Sequence, residues 1–94
     1  MKEKRSLPEL DEFRRGIDNL DAILVHTLAE RFRITDAVGQ LKRERGLPPL
    51  DAAREEEQLA RLKRLAAEAD LDPPLIEIVF TTIVEEVRRR HRNL

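Results

Sequence analysis

From Leu10 to Arg45 the chain carries one unbroken helical pattern, and a helix of that length cannot bury its apolar stripe against itself. The stripe runs Leu10, Phe13, Ile17, Leu20, Leu24, Leu28, Thr35, Val38. At 1.5 Å per residue the element extends to roughly 55 Å, so it demands other helices, its own or a partner's. Cations interrupt the stripe. At about 100° per residue Arg31 falls within roughly 20° of Leu24, and Lys42 falls almost on top of it. Arg14 lies on the stripe's edge. One long cation in an apolar row is ordinary, because its stem packs and its head snorkels to water. Two near the centre of the row, about three turns apart, call for something anionic, since a buried unpaired charge is costly. Either the chain pairs them with its own carboxylates, or it keeps a pocket for an anionic ligand.

Bulk properties narrow the choice. The 94 residues make one domain, with residues 1–7 expected as a frayed start and 8–94 as the folded helical part. The core must be aliphatic, because three Phe are the only aromatic residues apart from two His. A lone chain this short is marginal, and oligomerisation is a common remedy. Charged residues reach 39% yet balance to a net charge of −1, which argues against nucleic-acid binding. The lack of Tyr and Trp removes most base-stacking platforms. With no cysteine there is no disulfide, zinc–thiolate site or thiol nucleophile, which fits a cytoplasmic protein. No apolar run approaches a membrane span, and no signal-peptide core follows the charged start. His26 and His91 are too far apart in sequence to suggest a metal site, and no cofactor is expected.

The remaining chain reads as two more helices, with no strand pattern or repeat. Ser6 and Pro8 suit the start of the first helix, and Gly46-Leu47-Pro48-Pro49 ends it. Asp51 reads as the N-cap of a second helix reaching about Asp70, with Leu59, Leu62, Leu65 and Ala69 on one face. Asp72-Pro73-Pro74 restarts the chain as a capping carboxylate followed by proline in the first turn. The third helix carries Ile76, Phe80, Ile83 and Val87 in register, and His91 is the next position in that register.

An ordered set of short motifs runs through these helices. It comprises Arg14-Arg15-Gly16-Ile17-Asp18-Asn19-Leu20-Asp21, Leu28-Ala29-Glu30-Arg31, Val38-Gly39-Gln40-Leu41-Lys42 and Asp51-Ala52-Ala53-Arg54-Glu55. In order and spacing the set resembles the all-helical chorismate mutases, over about residues 10 to 92. The resemblance implies three helices per chain, one long and two shorter, entwined as a homodimer with the long first helices packed together. It implies the rearrangement of chorismate to prephenate, the branch step towards phenylalanine and tyrosine. That reaction is an intramolecular pericyclic shift without nucleophile, metal or cofactor. Its substrate is a dicarboxylate, which suits the cations in the stripe.

By position, the resemblance makes Arg31 the arginine that holds a substrate carboxylate within the same chain. It makes Arg14 the arginine that reaches in from the other chain. Lys42 becomes the contact to a carboxylate and to the ether oxygen whose bond breaks. Asp51, Arg54 and Glu55 become the group around the ring hydroxyl and the pocket mouth, with Glu55 as hydroxyl acceptor. His91 stands where the family usually has Gln or Glu as second donor to the ether oxygen. Val87 stands where some members have Ser near the ring carboxylate. Along one helix about 28 residues, or about 42 Å, separate Arg14 from Lys42, so the two are expected to meet only between chains.

Plainer readings compete. Arg31 and Lys42 can pair with carboxylates of a solvated bundle. Arg14 alone reads as a surface arginine, and His91 as a residue favoured by the negative end of a helix dipole. Asp51 is fully explained as a cap. The run Arg88-Arg89-Arg90-His91-Arg92 reads as dipole complement and solvated face. Two alternative functions stay open: an isochorismate pyruvate-lyase on the same fold, and a non-catalytic helical dimerisation module.

Overall fold

The computed structural model describes residues 7–93 and is all-α: α1 (Pro8–Glu44), α2 (Ala52–Glu68) and α3 (Pro73–Arg92). The expected Ser6 cap and the start of the frayed segment fall outside the described residues. The chain divides into two units, Met1–Arg33 and Ile34–Leu94.

In the first unit the described residues are almost all helix. Its apolar row lies open in the single chain, with Phe13 70% and Leu20 65% exposed and Ile17 and Leu24 little different. Leu28, Arg31 and Phe32 are half-buried, and Arg14 is exposed. Gly16 lies inside the helix with open space where a Cβ would stand, so it carries a propensity cost and no packing role.

The second unit holds the end of α1 together with α2 and α3. The α2–α3 pair is an antiparallel hairpin, as its cross-links show: Lys63 meets Glu77 at 2.8 Å and Glu55 meets Arg88 at 2.7 Å. Phe80 and Ala66 are buried between them, at 5% and 4% exposure. The α3 register expected from sequence holds, since Ile76, Ile83, Val87 and His91 are all half-buried around Phe80. The α2 face is rotated from the expected one. Leu59 and Leu62 turn inward with Ala66, while Leu65 and Ala69 are exposed. Leu65 and Ala66 are adjacent apolar residues, so composition alone does not choose between their stripes.

Turn chemistry fixes the helix ends. α1 closes in a Schellman motif: Leu47 N–H donates to the Lys42 carbonyl at 2.8 Å, and Gly46 N–H to that of Arg43 at 3.3 Å. Gly46 takes the left-handed conformation the motif needs, at φ 65°. α2 ends in the same way, with Leu71 N–H on Ala66 O and Asp70 N–H on Ala67 O, but here Asp70 stands in the left-handed position at φ 58°. At the start of α2 the Asp51 carboxylate accepts the Arg54 N–H at 3.1 Å, as the cap reading requires. At the start of α3 the expectation fails in part. Asp72 occupies the N-cap position, but its side chain makes no capping hydrogen bond. Pro73 and Pro74 have no N–H to offer, and the Leu75 N–H is taken by the Asp72 carbonyl at 3.0 Å, so the first turn leaves the carboxylate without a donor.

Candidate active site

The Schellman turn of α1 has a direct consequence for Lys42. Its carbonyl is tied to Leu47, and the loop that follows folds back until Pro49 O stands 3.5 Å from the Lys42 Nζ. Lys42 is half-buried beside the helix end, with its ammonium turned towards that carbonyl. Across from it, the last turns of α3 bring in His91. Lys42 and His91 line one cleft of about 300 Å³ with Gly39, Leu47 and Pro49, flanked by Arg43 and Arg92. Gly39 is the buried residue of α1, which lets other groups approach the helix there. Among the described residues no carboxylate side chain lines this cleft.

His91 is oriented by the backbone of α1. Its Nε2 lies 3.0 Å from Thr35 O, and a carbonyl only accepts, so Nε2–H donates in that contact. Next to it, Arg90 donates from Nη1 to Asp36 Oδ2 at 3.0 Å and from Nε to Glu86 Oε2 at 2.8 Å. Arg89 closes on the same carboxylate with two hydrogen bonds. The hydrogen bonds from Arg89 and Arg90 push the Glu86 carboxyl down to about 2. In return, the hydrogen bond to Glu86 raises both guanidiniums above their ordinary range, with Asp36 adding to the effect at Arg90.

A second cleft, of about 330 Å³, lies between α2 and α3. Glu55 lines it above Leu59 and Phe80, with Arg88 on the facing helix. The Arg88 guanidinium donates to Glu55 Oε1 at 2.7 Å, which occupies one carboxylate oxygen. Lys42 and His91 therefore share one cleft, and Glu55 stands in another. Asp51 sits at the α2 N-cap and Arg54 is exposed in the first turn. Val87 is half-buried on α3 between the positions of Phe80 and His91. Arg14 and Arg31 belong to the first unit.

Sequence reasoning missed three residues. Arg88 and Arg92 fall in the run read as dipole complement and solvated face, and the sequence does not single out Arg43, yet Arg88 grips Glu55 and the other two line the cleft of Lys42 and His91. A hairpin register with residue 63 opposite residue 77 would have placed Arg88 near Glu55.

Among the described residues, no helix is long and apolar enough to cross a membrane, and no cluster of His, Asp and Glu is arranged to hold a metal.

In sequence the chain is similar to named relatives. The chain is 35% identical over 78 residues to the T-protein of Enterobacter agglomerans, covering 83% of the chain and 21% of that protein. It is 28% identical over 79 residues to the chorismate mutase of Methanocaldococcus jannaschii, covering 84% of the chain and 80% of the relative. It is 30% identical over 80 residues to the 4-amino-4-deoxychorismate mutase of Streptomyces pristinaespiralis, covering 85% of the chain and 62% of the relative. The chain thus spans about a fifth of the T-protein's length. The family model for chorismate mutase type II matches residues 13–92, nearly the whole chain. On that match, the chain belongs to the chorismate mutase type II family.

Proposed function

We propose that this chain is a chorismate mutase that rearranges chorismate to prephenate, serving aromatic amino acid synthesis in the cytoplasm. The observation that carries the reading is the cleft that Lys42 and His91 line from the ends of two helices, with no carboxylate side chain among the described residues of its wall. A dianion is the ligand such a cleft accepts, and the reaction needs what the cleft supplies. The ether C–O bond breaks as a C–C bond forms within the same molecule, and nothing is added or lost. Negative charge builds on the ether oxygen as its bond stretches. An ammonium held in place there stabilises the transition state more than the ground state, which lowers the barrier. Lys42 is that ammonium, and His91 is the second group on the ether oxygen.

Binding and orientation complete the scheme. Arginine presents a planar fork matched to carboxylate, so Arg31 and Arg14 fix the substrate's two ends and hold its flexible ether in the reactive geometry. The resemblance gives Glu55 the ring hydroxyl, with Oε2 as the acceptor because Arg88 holds Oε1. Within the single chain Glu55 lines the α2–α3 cleft, apart from Lys42 and His91. Asp51 acts by capping α2 and so setting the direction of Arg54 and Glu55. Val87 supplies only an apolar wall. Arg14 comes from a second copy of the chain, making the enzyme a homodimer. The open row of Phe13, Ile17, Leu20 and Leu24 supports that assembly, since a chain alone would leave this apolar surface in water.

The test is direct. Adding the pure protein to chorismate should deplete its absorbance and yield prephenate. Persistence of chorismate, or release of pyruvate from isochorismate with no mutase turnover, would reject the reading.

A further inference from the structure

The basic run that closes α3 is not uniform. Arg88 is held by Glu55, Arg89 by Glu86, and Arg90 by Glu86 and Asp36. Arg92 has no such carboxylate among the described residues, and neither has Arg43 in the last turn of α1. Both residues line one cleft, the cleft of Lys42 and His91. With Lys42 they gather three cationic side chains at a cleft that has no acidic side chain among its described lining residues.

The location makes that charge consequential. The cleft lies at the carboxyl ends of α1 and α3, with basic side chains in both last turns. Each helix end carries roughly half a negative charge from its unpaired carbonyls. A dianion entering there meets two repulsive dipole ends, which Lys42 must help offset while also serving the ether oxygen. Cations at the rim reverse the sign of the approach, and a cleft with low-dielectric walls focuses their field.

We infer that Arg43 and Arg92 form a cationic collar that captures dicarboxylate substrates for the Lys42–His91 cleft. They act on encounter and binding, leaving the rearrangement to Lys42. The inference rests on the mutase reading for the identity of the dianion. The collar selects for charge, so a substrate with one carboxylate removed gains much less from it.

The test compares wild type with Arg43→Gln, Arg92→Gln and the double variant across salt, using chorismate as the probe. In about 10 mM salt the double variant should lose roughly tenfold in kcat/KM, carried by KM, because field focusing of this kind is worth tenfold or more. The gap should close near 1 M salt, where charges are screened beyond about 3 Å. Arg43→Lys with Arg92→Lys should restore capture. A purely structural role as dipole complement would instead lower the melting temperature and leave the salt slope of kcat/KM unchanged. That result, or a fall in kcat at constant KM, overturns the collar. Calorimetric titration of chorismate separates the two claims. Wild type that binds chorismate with a salt-dependent affinity lost in the double variant, but does not turn it over, keeps the collar and rejects the mutase reading. Wild type that neither binds nor converts chorismate rejects both.

Discussion

The His91 Nε2 donates to the main-chain carbonyl of Thr35 across a 3.0 Å contact between α3 and α1. That bond decides what the rest of the imidazole can offer. With Nε2–H committed to Thr35, a neutral ring has only a lone pair at Nδ1, which cannot donate to an ether oxygen. The ring donates from Nδ1 only as imidazolium, or it must leave Thr35. Glutamine has a two-hydrogen amide, so it can serve the carbonyl and the substrate together.

The first prediction follows from this inventory. His91→Gln should retain substantial turnover, and His91→Ala should lose clearly more, up to the roughly 10²-fold typical of one oxyanion donor. Long-range ¹⁵N–¹H NMR of the free enzyme should report a proton on Nε2. A protonless Nε2, or wild-type rates in His91→Ala, would reduce His91 to a helix-end residue.

Lys42 is tested by truncation. Lys42→Ala should lose roughly 10²–10³ in turnover, or about 3–4 kcal/mol. Helicity should be kept, because the Schellman bonds at this position use only the backbone of residue 42. Near-normal turnover in a folded Lys42→Ala protein would show that the ether-oxygen role belongs to another residue.

Asp51 separates a cap from a ligand. Its carboxylate accepts from Arg54 N–H, a bond that asparagine reproduces and alanine does not. Asp51→Ala should therefore destabilise by about 0.5–2 kcal/mol, with Asp51→Asn close to wild type in both melting temperature and KM. A large KM defect in a stable Asp51→Asn protein would make the charge itself a substrate contact.

How much of this was legible in the sequence varies with the physics. The three helices, the Gly46 stop and the Asp51 cap are local and were readable, because backbone donors, carbonyls and a left-handed glycine decide them within a few residues. The α3 register was readable because Ile76, Phe80, Ile83 and Val87 recur at three- and four-residue spacing over about three turns. The α2 face was not, since Leu65 and Ala66 offer two stripes and only packing against Phe80 selects one. Asp70 in a left-handed cap was hidden because nothing in an aspartate announces it. The partners of Arg88 and Arg90 were hidden for a different reason. Pairing across helices depends on their rotation about each other, which periodicity within one helix does not set.

The surface network around Glu86 predicts a pH effect with a defined sign. Hydrogen bonds from Arg89 and Arg90 hold its carboxyl down at about 2, below the ordinary value of 4.5. A depressed carboxylate stabilises the fold above the unfolded-state value, and that stabilisation is lost as pH falls towards the folded-state value. Wild type should thus melt above Glu86→Gln at neutral pH, and the gap should shrink between about pH 4.5 and about 2. The ion pairs are partly open to solvent, so the gap should be small and should narrow with added salt. Equal melting temperatures at neutral pH and low salt would show that the pairs contribute nothing net.

The last prediction concerns Arg14 and Lys42, which the mutase reading assigns to one pocket built from two chains. If Arg14 enters from a partner, neither an Arg14→Ala nor a Lys42→Ala homodimer has a complete site. In a mixed dimer, one pocket carries both lesions and the other carries neither. Refolding equal amounts of the two inactive variants together gives about half mixed dimers by random pairing. Each of these has one intact pocket, so activity should recover to about a quarter of the wild-type value per site. An Arg14→Ala, Lys42→Ala double variant mixed with inactive Lys42→Ala chains should recover nothing, because every site in that mixture lacks Lys42. Sedimentation should find the active species at twice the chain mass. Full activity in a sedimenting monomer, or no recovery on mixing under conditions where dimers demonstrably exchange, would place all the substrate-binding cations within one chain.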